Sequence, residues 1–135
     1  METREKIITD FVSAYNEGNV KKLIHHLSAD IKYENTSDKN VYMVINGISN
    51  IELQFSMAQD IFKYRNITIQ TFIHYGVTTE VNINYKSELA IKLEQWRNLG
   101  SSADTSGKML FTFEDDIITE ILFFLDEVTS LNNII

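Results

Sequence analysis

Val77-Thr78-Thr79-Glu80-Val81-Asn82-Ile83-Asn84-Tyr85-Lys86-Ser87-Glu88-Leu89-Ala90-Ile91-Lys92-Leu93 decides the fold class. Apolar side chains and small hydroxyls hold the odd positions; the even ones are polar except Ala90. A period of two sends one face to a core and leaves the other in water, as in an antiparallel strand with one wet side. From Glu88 to Asn98 a helix is a second reading, which Leu89, Leu93 and Trp96 fit and Ile91 does not. Working outward, Leu99 to Gly107 reads as a Gly/Ser-rich loop. Met109, Phe111 and Phe113 then open a hairpin that turns at Asp115-Asp116 and returns through Ile117 to Leu125, a segment apolar on both parities, as a central strand would be. On the other side, Ile67, Ile69, Ile73 and Tyr75 share a parity broken at Thr71, and Gly76 turns the chain.

The first half is mainly helical. Ile8, Phe11, Val12 and Tyr15 fall at i, i+3, i+4, i+7, a single apolar stripe. Gly18 supplies a left-handed stop and Asn19 an N-cap. A second helix follows, with Val20, Leu23, Ile24 and Leu27 on one side. Ile31, Tyr33 and Asn35 alternate with Lys32 and Glu34 as a strand, a polar loop follows, and Val41 to Ile45 is a second short strand. Ser49-x-x-Glu52 has the form of a capping box for a third helix. Ile51, Phe55, Ala58 and Phe62 would face the core, with Leu53, Met57 and Ile61 widening the stripe. The fold class expected is therefore α+β, as one domain over residues 1–135.

Composition narrows the function. Net charge is −7 and Lys21-Lys22 is the longest basic run, so the chain lacks the footprint a nucleic-acid or anionic-membrane surface needs. There is no Cys, which excludes disulfides, thiolate metal sites and a Cys nucleophile. No leader-like or membrane-spanning run is legible, and the cytoplasm is the expected compartment. No phosphate loop, dinucleotide fingerprint, nucleophile elbow or zinc motif occurs. His25 and His26 are adjacent and cannot share a helix face to grip one metal; His74 sits on the polar parity beside Phe72. Neither a metal nor a cofactor is expected.

Phe11-Val12-x-Ala14-Tyr15-Asn16-Glu17-Gly18-Asn19, Leu27-x-x-Asp30, Gly47 before the third helix, and the run Ile118-Thr119-Glu120-Ile121 through Phe124-Leu125-Asp126 resemble the nuclear transport factor 2-like superfamily, which includes ketosteroid isomerases and SnoaL-like polyketide cyclases. The resemblance covers nearly the whole chain. It implies three helices packed on a strongly curved, mainly antiparallel sheet, forming a cone whose mouth holds a mostly apolar pocket. It also implies where an isomerase would keep its Tyr, its Asp base and its protonated Asp. Those places hold Phe11, Asn35 and Met109 here, none of which can do the proton work. Steroid isomerisation is not expected.

Glu120 is then the candidate catalytic carboxylate. It interrupts an apolar strand, shares parity with Ile118, Leu122 and Phe124, and by the resemblance lies one step along from the place of the cyclase acid, which Leu122 occupies. Burial among aromatics would raise its pKa and suit it to acid–base work. Tyr15, Tyr33 and Tyr85 could bring hydroxyls into a pocket and Asn35 could orient a ligand carbonyl, with Phe55, Phe111, Phe113 and Leu122 as walls. Three functions remain open: binding of a small apolar molecule; a cofactor-free isomerase, cyclase or lyase using Glu120; or a protein-assembly module. A homodimer through the sheet is expected, because the last strand is apolar on both parities and the helices can cover only one face.

Overall fold

A computed structural model describes residues 2–36, 41–90 and 102–126. The order of elements is α1 (Glu2–Glu17), α2 (Val20–Leu23), β1 (Leu27–Thr36), β2 (Val41–Asn46), α3 (Ile48–Gln59), β3 (Phe62–Tyr75), β4 (Thr78–Leu89), β5 (Ser102–Glu114) and β6 (Ile117–Leu125). The six strands form one sheet in the order β2-β1-β6-β5-β4-β3. Every neighbouring pair is antiparallel except β1 with β6, which runs parallel. The helices cover one face, and the core lies between: Ile8, Phe11, Val12 and Tyr15 of α1 and Ile51, Phe55 and Ala58 of α3 are all buried. This is the α+β cone that the sequence implied.

Local chemistry explains the joints. Asn19 caps α2 by accepting a hydrogen bond from the Lys22 amide, and Gly18 takes a positive φ of 72° that other residues avoid. α2 is shorter than its apolar stripe suggests. It stops at Leu23, and Leu27 already opens β1, where it pairs with Ile118. The capping box of α3 does not form: Gly47 occupies the N-cap and no side chain bonds there. Leu53 and Met57 face solvent rather than a second layer. The expected loop at 99–107 is also corrected, since 102–107 belong to β5, paired with β4 from Ser102 onward. Residues 91–101, where strand and helix competed, lie outside the described residues; Glu88 and Leu89 themselves are strand. No helix among the described residues is long and apolar enough to cross a membrane.

One end of the cone is closed by polar contacts. His74 lies between Glu5 Oε2 and Thr79 Oγ1, each 2.8 Å from a ring nitrogen, so α1 is tied to the β3–β4 hairpin. Arg4 donates to the Gly76 carbonyl and packs its guanidinium over the Phe113 ring. The site lies at the other end.

Candidate functional site

Strand register places the buried polar side chains. Among the described residues, Asn35, Arg65, Thr79, Ser87 and Thr105 are the buried polar or charged ones. Thr79 belongs to the closed end. The other four gather toward the opposite end of the inner face: Arg65 pairs with Ser87, Tyr85 with Thr105, and Asn35 with Phe123. Tyr15 comes down on them from α1, 5.5 Å from the Phe55 ring and 6.4 Å from Phe123, and Tyr85 meets Phe123 at 5.8 Å.

Arg65 is the functional residue the sequence did not announce. It is 7% exposed. Its guanidinium lies 4.5 Å from the centre of the Tyr15 ring and 5.0 Å from those of Phe55 and Phe62. Its Nη1 donates to the Tyr15 hydroxyl at 3.1 Å. Flat stacking on aromatic faces is what a guanidinium does well and an ammonium does poorly. A faint signal existed: in Phe62-Lys63-Tyr64-Arg65-Asn66-Ile67, Arg65 shares parity with Ile67, the first residue of the expected strand. A cleft of about 210 Å³ opens beside it, between the α1–α2 turn, the end of α3 and the start of β3. Tyr15, Phe62 and Arg65 line it, with Glu17, Gln59 and Lys63 among the residues around them. Gln59 Nε2 donates to the Gly18 carbonyl and ties that rim together.

The phenols near the cluster are held neutral. Burial pushes the Tyr33 hydroxyl well above its ordinary pKa, reinforced by Tyr15 and opposed by the Arg65 charge. Burial likewise raises Tyr85, again reinforced by Tyr15. Ser87 lies close enough to oppose that rise, yet its Oγ is fully buried with no well-formed hydrogen bond. The cluster therefore offers neutral hydroxyls and one cation.

Three expectations are corrected. Glu120 is exposed. Thr112 pairs with Glu120 and Phe113 with Ile118, so Thr119 is an extra residue that switches the parity of β6. Ile118, Ile121, Phe123 and Leu125 consequently face the core, while Glu120 and Leu122 lie on the outer face; Leu122 pairs with Leu110 there and lines no interior pocket. Phe55 and Phe111 are fully buried, and Phe111 packs edge-on against Phe11 at 5.6 Å, so both are packed core rather than walls of an open cavity. Phe113 lies ten residues along β5 from Ala103, the partner of Ser87, or roughly 30 Å from the cluster at strand rise. Glu120→Gln is expected to leave stability unchanged within about 0.5 kcal/mol, as for other surface substitutions. Urea melts at acid and neutral pH check this, and a clear gain at neutral pH alone would return Glu120 to a buried site.

No family model and no curated protein sequence matches the chain. Solved structures do. A hypothetical protein with a ketosteroid isomerase-like fold from Catenulispora acidiphila DSM 44928, in complex with trimethylamine, is 14% identical with a TM-score of 0.73, over 95% of this chain and 91% of that one. A nuclear transport factor 2-like protein of unknown function from Burkholderia pseudomallei K96243 is 13% identical with a TM-score of 0.72, over 93% and 92%. A protein assigned as a SnoaL-like polyketide cyclase from Jannaschia sp. CCS1 is 12% identical with a TM-score of 0.73, over 93% and 86%. The chain thus has the nuclear transport factor 2-like fold. Identities this low carry the architecture and not the chemistry.

Proposed function

We propose that this protein binds a small, mostly apolar molecule at the Tyr15–Arg65 cleft and does not catalyse steroid isomerisation. One observation supports binding over acid–base catalysis: no carboxylate is buried among the described residues, while several neutral hydroxyls and one guanidinium are. A positioned acid or base at neutral pH requires a titratable group tuned by its surroundings. Glu120, the residue an isomerase, cyclase or lyase would have used, lies on the far side of the sheet. Phe11 and Met109, at two of the three isomerase places, are packed in the core. The trimethylamine bound by the Catenulispora protein is a cation at neutral pH and poorly suited to a place beside a buried guanidinium.

The test pairs a thermal-shift screen of one-ring and short-chain compounds with a steroid isomerase assay followed by absorbance of the conjugated product. A true ligand at about a hundred times its Kd adds about 2.7 kcal/mol, a rise in Tm on the order of 10 °C. No conjugated steroid should form above background. A screen without any shift would refute the binding reading, and robust turnover would refute the assignment of Phe11, Asn35 and Met109.

Self-association is the second part of the proposal. Leu110, Leu122 and Phe124 are half-buried together on the outer face of the sheet, away from the helices. A second copy packing sheet on sheet would cover them. Light scattering at micromolar concentration is expected to give twice the chain mass of 15.6 kDa; a clean monomer would refute it.

A further inference from the structure

Arg65 carries a charge into a nearly closed aromatic setting, and among the described residues no carboxylate pairs with it. The nearest acidic group on the cleft, Glu17, is engaged elsewhere: it lies 3.5 Å from Lys22 Nζ and accepts from Ser13 at 3.0 Å. Lys63 lies 3.8 Å from Glu88. A guanidinium has five N–H donors in a fixed fork. Here Nη1 to the Tyr15 hydroxyl is its one side-chain hydrogen bond among the described residues. Three rings surround the guanidinium, and its remaining N–H donors keep contact with the solvent of the cleft, where an incoming acceptor can replace water.

Ser87 is Arg65's direct partner across the β3–β4 ladder, so the two side chains stand on the same face of the sheet. Ser87 turns to Tyr85 and lies away from the cleft, which leaves Arg65 as the charged group that meets an incoming acceptor there.

We propose that the natural occupant of the cleft is an acid: a small carboxylate whose oxygens lie against the edge of the Arg65 guanidinium and whose apolar body rests on Tyr15 and Phe62. This deepens the ligand-binding function proposed above and rests on it. The carboxylate is the favoured anion because its two oxygens match the fork of a guanidinium. The size follows from the cleft, whose 210 Å³ falls below the roughly 300–1,000 Å³ of sites for drug-sized ligands. One ring or a short chain fits this space and a steroid does not. The overall charge of −7 would not draw an anion in from a distance, so recognition depends on the local guanidinium.

Calorimetric titration of the intact chain with benzoate, phenylacetate and cyclohexanecarboxylate, each against its own amide, tests the proposal. At least one acid is expected to bind about tenfold or more tightly than its amide, the scale of a hydrogen bond to a charged group. Arg65→Met should abolish that preference, weakening the acid by more than the amide. Should Arg65→Met fail to fold, Arg65→Lys keeps the charge but loses the fork, and it is expected to weaken acid binding severalfold and by more than it weakens the amide. Acids and amides binding equally to the wild type, or unchanged acid affinity in the folded variant, would overturn the anion assignment and leave the ligand-binding reading standing. Absence of binding by every acid and amide at millimolar concentration would overturn both.

Discussion

Gly107→Ala is expected to cost about 4 kcal/mol or more, or to prevent folding, which places it in the rare severe tail of single substitutions. Gly107 is buried on β5, between Ile83 of β4 and Leu125 of β6. A methyl group added there would sit 2.2 Å from the Phe124 carbonyl oxygen and 3.1 Å from the Leu125 Cα. Those atoms are backbone, so no rotamer change relieves the clash and β6 itself must shift. Ordinary overpacking, which side chains absorb, costs about 1–3 kcal/mol. Urea unfolding of Gly107→Ala beside Gly76→Ala makes the comparison, because a methyl at Gly76 meets no atom within 4 Å and the strain there comes only from its φ of 53°. A Gly107→Ala penalty below about 1 kcal/mol would contradict the close β5–β6 approach.

The second large effect is alkaline. Tyr33 and Tyr85 both have pKa values raised by burial, so the folded state holds their protons where the unfolded chain has lost them. The stability this represents is complete below the unfolded phenol pKa near ~10 and is lost as pH rises beyond it. Tyr85 removes about 1.4 kcal/mol per pH unit in that window, or about 3 kcal/mol by roughly pH 12, and Tyr33 adds a loss of the same sign. That is a large share of the stability of an ordinary domain, about 5–15 kcal/mol. Tyrosinate absorbance and circular dichroism followed together should show Tyr33 and Tyr85 ionising only as the fold collapses. Full ionisation of all six tyrosines with the dichroism intact would refute their burial.

Much of the architecture was legible because periodicity reports burial directly. The α1 stripe of Ile8, Phe11, Val12 and Tyr15 is buried throughout, and Val81, Ile83, Tyr85, Ser87 and Leu89 line the inner face of β4 as their alternation required. β6 failed for a physical reason. A strand apolar on both parities gives no indication of which side is inside, and the extra residue at Thr119 switches the side partway along. Glu120 was misplaced by that one residue. Ser102 to Gly107 looked like a loop because small polar residues and Gly are loop-formers, whereas here Gly107 is small to let a neighbouring backbone approach. The site was half legible. Tyr15, Tyr33 and Tyr85 fell on apolar faces, but Arg65 followed a helix end, where a charge is usually solvated. Only the stacking of three rings, contributed by α1, α3 and β3, makes that position an interior one.

The parallel pairing of β1 with β6 has a consequence for how the chain reaches this state. β3 through β6 join sequence neighbours and can zip from their turns, but β1 must wait for a partner about ninety residues further on. During synthesis the helices and first two strands emerge with no sheet centre to dock on. The helices can settle on β3 before then, but the β1–β2 pair stays detached until β6 arrives, because β6 alone links β1 to the rest of the sheet. Slow refolding on the millisecond-to-second scale of non-local topologies follows. So does a window of aggregation for chains released or truncated before Ile117, in which the edge of β1 stands open to any other strand.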